Sequence, residues 1–119
     1  MISDYRYLRQ QDLVPLEKLN IPITVIGAGA IGSAAVVALA KMGCSNLTVW
    51  DDDLLEEVNI PNQLCRTDMV GKPKVEALAE LTKNLTDTQI QTENRRYHGQ
   101  RLLGLVVAAV DSMEGRQSV

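Results

Sequence analysis

Ile23-Thr24-Val25-Ile26-Gly27-Ala28-Gly29-Ala30-Ile31-Gly32 is the stretch on which the fold of this chain turns. A short β-branched run passes directly into Gly-x-Gly-x-x-Gly, and a helical pattern follows. Gly27 permits a tight turn out of a strand. Gly29, with no Cβ, lets a phosphate approach the backbone. Gly32 lets the following helix pack closely on the sheet. That helix begins at Ala30 and presents free N–H groups and the positive end of its dipole to an anion. The reading is a nucleotide phosphate cradle formed by Gly27, Gly29, Ala30 and Gly32. The motif is weak alone and gains weight from its place between strand and helix.

Composition bounds the rest. The chain has 119 residues, enough for one domain or part of one, and 45% of them are apolar. It contains no phenylalanine, so its core must be aliphatic. A net charge of −3 argues against a general nucleic-acid binder. No apolar run approaches the roughly 18 residues of a membrane span. Met1-Ile2-Ser3-Asp4-Tyr5-Arg6 holds no signal-peptide core. Cys44 and Cys65 make no metal-ligand spacing, so the expectation is a cytoplasmic protein with reduced thiols.

Working outward, residues 1–21 read as a polar arm with a short helix from Asp12 to Leu19. Residues 22–119 read as the domain. Strand one spans about 22–27 and the next helix about 30–42. Ile31, Ala34, Ala35, Ala38, Leu39 and Met42 form a broad apolar stripe, expected to face the sheet. Gly43 ends the helix, and Asn46 to Trp50 makes a second, parallel strand. Residues 51–70 are a long loop of the kind that is usually functional. A helix over about 73–85 places Val75, Leu78, Ala79, Leu81 and Leu85 inward. Residues 89–94 suit an edge strand. Leu105 to Val110 are six apolar residues, a strand written for a sheet centre, and Ser112 opens a further helix. The fold class is therefore α/β: a Rossmann-like parallel sheet, order 3-2-1-4, with helices on both faces. The crevice lies over the carboxyl ends of strands one and four, so Gly27, Asp51 and Asp111 should converge.

Asp51 closes strand two, 19 residues after Gly32, where an acid holds ribose hydroxyls. To this point NAD, FAD and ATP all remain open. Asp51-Asp52-Asp53, Asn59, Pro61-Asn62-Gln63 and Gly71-Lys72-Pro73-Lys74 then resemble the ubiquitin-activating-type (E1-like) family. Its bacterial members include the ThiF-type adenylyltransferases of thiamin synthesis and their counterparts in molybdopterin synthesis. The opening Arg6-Tyr7-Leu8-Arg9-Gln10 and the later Val110-Asp111 with Arg116 match further motifs of that family in the right order.

The resemblance implies adenylation of a carboxylate by ATP, usually at the C-terminal glycine of a ubiquitin-like or sulfur-carrier protein. It implies a homodimer in which Arg9 reaches ATP from the neighbouring subunit. Asp51 and Asp53 would take part in nucleotide binding, with Asp51 on the ribose. Asn59 and Gln63 would order the triphosphate. Lys74 would balance its charge, and Asp111 would hold Mg²⁺ on it. Arg9, Lys74 and Asp111 are thus the implied catalytic set. The family's arginine before the glutamine is Asn62 here, with Arg66 as a candidate substitute. The family also continues beyond this length, so the chain reads as an N-terminal part of a longer protein. Two other functions compete: a nicotinamide or flavin oxidoreductase domain, and a non-catalytic module that binds a partner through the same fold. Cys44 and Trp50 read as core, and His98, Arg95 and Arg96 as surface. Cys65 is not assigned as a nucleophile.

Overall fold

A computed structural model describes residues 20–109. The expected helices at Asp12–Leu19 and from Ser112, with Arg9, Asp111 and Arg116, lie outside the described residues. Four strands form one parallel sheet: β1 (Ile23–Ile26), β2 (Leu47–Trp50), β3 (Gln91–Glu93) and β4 (Leu105–Ala108). Their order is β3-β2-β1-β4, as expected. Ile23 sits opposite both Leu47 and Leu105, and Ile26 opposite Trp50 and Ala108. Two helices flank the sheet, α1 (Ala30–Lys41) and α2 (Lys74–Thr86). The order places the carboxyl end of β1, where the glycine loop begins, between those of β2 and β4.

Both helices share one aliphatic core with the sheet. Val25, Val36, Val37, Ala40, Leu47, Val49, Val75, Leu78 and Ile90 are among its members. The opposite face of the sheet is met by the 94–104 connection, where Tyr97 packs edge-on against Trp50 at 5.6 Å between ring centroids. No described helix is long and apolar enough to cross a membrane.

The structure corrects the inner face of α1. Gly32, Ser33, Val36, Val37 and Ala40 are buried, while of the stripe expected to face inward Leu39 packs partly against the core and Ile31 is 64% exposed. This helix is apolar on almost every side, so periodicity alone admits two phases. Close packing selects one: a Cβ on Gly32 would lie 1.7 Å from the Gly27 carbonyl oxygen. Gly32 must therefore face the sheet, and Val36, Val37 and Ala40 follow on the same side.

The inner face of α2 differs in part as well. Val75 and Leu78 are buried as expected, but Ala77, Thr82 and Thr86 complete the face and Leu85 is exposed. The Thr86 hydroxyl donates to the Thr82 carbonyl at 2.7 Å, so its polar group is satisfied inside the helix. Two buried threonines thus hide part of the stripe from a count of apolar residues.

β4 is an edge among the described residues. Leu105 N–H donates to Pro22 and Ala109 N–H to Ile26, so Val106 and Ala108 turn their backbone groups away from β1. Leu105 and Val106 are 60% and 47% exposed, one on each face of the sheet. An apolar unpaired edge is a template for a further strand. The chain alone should therefore self-associate with rising concentration in light scattering, and Val106→Lys should reduce that association. Equal association by both proteins would place the contact elsewhere.

Candidate functional site

The site is built at the carboxyl ends of β1 and β2. Gly27 has φ +103°, a conformation side chains rarely adopt, and its N–H donates to the Trp50 carbonyl at 2.8 Å. The turn is thereby pinned to β2. Gly29 is the N-cap residue of α1, and no side chain caps the helix. The first-turn N–H groups therefore face the crevice without an intrahelical partner.

Asp51 ties this loop to the next one. One carboxylate oxygen accepts the Ala28 N–H and the other accepts the Asp53 N–H, each at 2.8 Å. It thus braces the loop, tying Ala28 to Asp53. Asp51→Ala should cost about 1.5–3 kcal/mol, the worth of a hydrogen bond to a charged group. That loss would appear in urea denaturation of the unliganded chain; an unchanged midpoint would show that the brace carries no stability.

Lys74 arrives by a different route. Residues 53–55 and 71–74 form a small antiparallel clasp. Leu54 bridges Pro73, Leu55 N–H donates to Lys72, and Lys74 N–H donates to the Asp53 carbonyl at 2.9 Å. The Lys74 ammonium then lies 3.8 Å from the Asp53 carboxylate. The lysine side chain is only 12% exposed. At 3.8 Å this is an ion pair and not a hydrogen bond, and no described residue hydrogen-bonds the ammonium. The Asp53 carboxyl is held above its ordinary range, first by burial and then by Asp51, while Lys74 pulls it down. Its side chain is 69% exposed, so water screens these effects.

Asn59 and Gln63 sit in a compact turn. The Asn59 side-chain oxygen accepts the Glu56 N–H at 2.8 Å, closing a capping box. Its backbone oxygen accepts N–H groups from Asn62 and Gln63. Leu64 N–H donates to the Ser33 hydroxyl at 3.3 Å, which brings the turn against the first helical turn of α1. Ser33 carries no motif; the only sign of its role is a polar residue on the buried face of an apolar helix. The structure therefore joins the glycine loop, Asp51, Asp53 and Lys74 directly, and sets Gln63 beside α1 through its neighbour Leu64.

Other candidates separate from the site. Arg66 is held by Asp68 at 3.1 Å and Glu80 at 2.9 Å, and Lys72 also pairs with Glu80. Arg66 is thus committed to a surface network along α2. Trp50 is buried, with the Arg95 guanidinium 4.7 Å from its ring centroid and Tyr97 at its edge, so it is a packed residue as expected. Its indole nitrogen has no hydrogen-bond partner among the described residues. Cys44 is buried, His98 is exposed, and burial pushes both cysteine thiols up, away from nucleophilic reactivity. The Asp51, Asp52 and Asp53 carboxylates gather within 4.8 Å of one another.

Known proteins resemble this chain in sequence and in fold. The chain is 39% identical to the adenylyltransferase and sulfurtransferase UBA4 of Yarrowia lipolytica over 87 residues, covering 67% of this chain and 22% of that protein. It is 34% identical to the tRNA threonylcarbamoyladenosine dehydratase of Haemophilus influenzae over 106 residues, covering 82% of this chain and 41% of the relative. The E. coli tRNA N6-threonylcarbamoyladenosine dehydratase crystallised with ATP superposes with a TM-score of 0.79 at 26% identity, covering 94% of this chain and 53% of that one. The chain thus spans about half or less of each of these proteins. A family model matches residues 9–119, from the arginine of the opening motif through the glycine loop to the last residue, and this chain belongs to the ThiF family.

Proposed function

We propose that this chain is the ATP-binding part of an E1-like adenylyltransferase. Residues 22–119 supply the nucleotide domain and residues 1–21 an arm. The observation that carries the reading is Lys74: a side chain only 12% exposed, whose ammonium donates no hydrogen bond to a described residue, joined through Asp53 and Asp51 to the glycine loop. A triphosphate carries more negative charge than the pyrophosphate of a nicotinamide or flavin dinucleotide, and so gains more from such a cation. The ATP-bound relative supports the same nucleotide.

In this reading the glycine loop and the N-terminus of α1 receive phosphate oxygens, and Asp51 accepts from the ribose. Lys74 balances charge as a carboxylate oxygen attacks the α-phosphorus. The bond from that phosphorus to the bridging oxygen breaks, pyrophosphate leaves, and an acyl-adenylate remains. Oxygen donors suit Mg²⁺, and Asp111 is the residue proposed to hold it on the phosphates. Arg9 would reach the phosphates from a second subunit of a cytoplasmic homodimer. The substrate carboxylate is proposed to be the C-terminal glycine of a ubiquitin-like or sulfur-carrier protein, as the similarity to UBA4 supports. A second reading, a modified tRNA base, is favoured by the 34% identity to the tRNA threonylcarbamoyladenosine dehydratase.

Trp50 is the sole tryptophan and precedes Asp51 directly, so its fluorescence can follow binding. Titration with ATP and Mg²⁺ should give saturable binding far tighter than with NAD. Tighter binding of NAD, indifferent to Mg²⁺, would replace this reading with an oxidoreductase.

A further inference from the structure

Lys74 stands where the local field opposes it. It is the first residue of α2, at the positive end of that helix dipole, a position that favours acids. Its side chain is largely withdrawn from water. A flexible four-carbon stem has no reason of its own to hold one geometry there. Only one described carboxylate lies within ion-pair distance of the ammonium, that of Asp53. The two residues are joined a second time through the backbone, by the Lys74 N–H and the Asp53 carbonyl at 2.9 Å. Asp53 is in turn fixed through its own N–H to one oxygen of Asp51, whose other oxygen holds Ala28 in the glycine loop.

These contacts form one relay: Ala28, Asp51, Asp53, Lys74. We propose that Asp53 is a positioning residue, which holds the Lys74 ammonium in register with the glycine loop and does not itself bind the nucleotide. The inference rests on the ATP reading of the same crevice. It reassigns Asp53 from the nucleotide-contacting role that the family resemblance implies. The charge argument agrees: a carboxylate facing a triphosphate directly repels it, and helps binding only through the cation it holds. The pair is loose enough for exchange, since at 3.8 Å the ammonium can swing its hydrogens to an entering phosphate without breaking a hydrogen bond.

Asp53→Asn isolates the charge, because both backbone bonds of residue 53 survive it. ATP and adenosine affinities are measured by Trp50 fluorescence in the wild type, Asp53→Asn, Lys74→Met and the double variant. Asp53→Asn should weaken ATP on the order of fivefold, leave adenosine unchanged, and have no further effect once Lys74 is Met. A general structural defect would weaken adenosine too. Weakening of ATP by the same factor in the Lys74→Met background would show that Asp53 meets the nucleotide directly and would overturn the proposal.

Acetylation of Lys74 by acetic anhydride, read by mass spectrometry against Lys72, supplies a readout independent of ATP. It should be faster in Asp53→Asn, where the ammonium is no longer held; an unchanged rate overturns the proposal. If Asp53→Asn does not fold, Asp53→Glu carries both measurements, with the carboxylate displaced by one methylene. If the wild type binds no ATP while acetylation still accelerates, the ATP reading fails and the restraint of Lys74 by Asp53 stands.

Discussion

Gly32→Ala should destabilise the chain by about 3 kcal/mol or more, the upper range for overpacking a close contact. The added Cβ would lie 1.7 Å from the Gly27 carbonyl oxygen and 2.7 Å from its carbon. Neither atom can give way cheaply. The Gly27 N–H is bonded to β2 at 2.8 Å, so moving its peptide breaks the glycine turn. Moving α1 instead lifts Val36, Val37 and Ala40 off the core. Gly71→Ala is the matched comparison. Gly71 has φ +96° but open space where a Cβ would go. It should lose only the strain of a left-handed alanine, about 1–2 kcal/mol. Urea denaturation of both variants measures the difference. A Gly32→Ala midpoint equal to that of Gly71→Ala would mean that α1 does not approach the turn this closely.

Lys74→Ala should lower carboxylate-dependent ATP–pyrophosphate exchange by the full-length protein more than a hundredfold. A positioned group that meets developing charge in a shielded site is worth about 3 kcal/mol. Lys74 fits that description because its side chain is only 12% exposed and its hydrogens are uncommitted among the described residues. Arg66→Ala is the control. Its side chain is 40% exposed and its guanidinium is shared between Asp68 and Glu80, so it cannot also serve the phosphates without leaving both. Exchange should survive that change. If Arg66→Ala proves as damaging as Lys74→Ala, Arg66 supplies the charge lost where the family's arginine is replaced by Asn62, and its pairing to Glu80 must open during the reaction.

The parallel sense of the sheet was legible because it follows from local rules, and its order because the alternating elements match a doubly wound pattern. A β-branched run, a glycine turn, a helix and a second strand can only return in parallel, and the crossover has one hand. Asp51 was legible for the same reason, being the residue at which β2 runs out. Lys74 was legible only through the spacing of a family motif. Nothing in its neighbourhood on the chain tells which of Lys72 and Lys74 turns inward. The clasp between residues 53–55 and 71–74 makes that choice: it turns Lys74 toward Asp53 and leaves Lys72 to Glu80.

By itself, then, the amino-acid order determined the elements, since each depends on residues close together in the chain, and their succession as a doubly wound α/β pattern implied the order of the sheet, although its pairings join residues as far apart as Ile23 and Leu105. Tertiary structure alone decided the phase of α1, the buried threonines of α2, the commitment of Arg66 to Glu80 and the relay from Ala28 to Lys74. These depend on which of several equivalent surfaces meets a neighbour distant in sequence. A helix apolar on nearly all sides carries no record of which side is inner; a carbonyl oxygen 1.7 Å from a missing Cβ settles it.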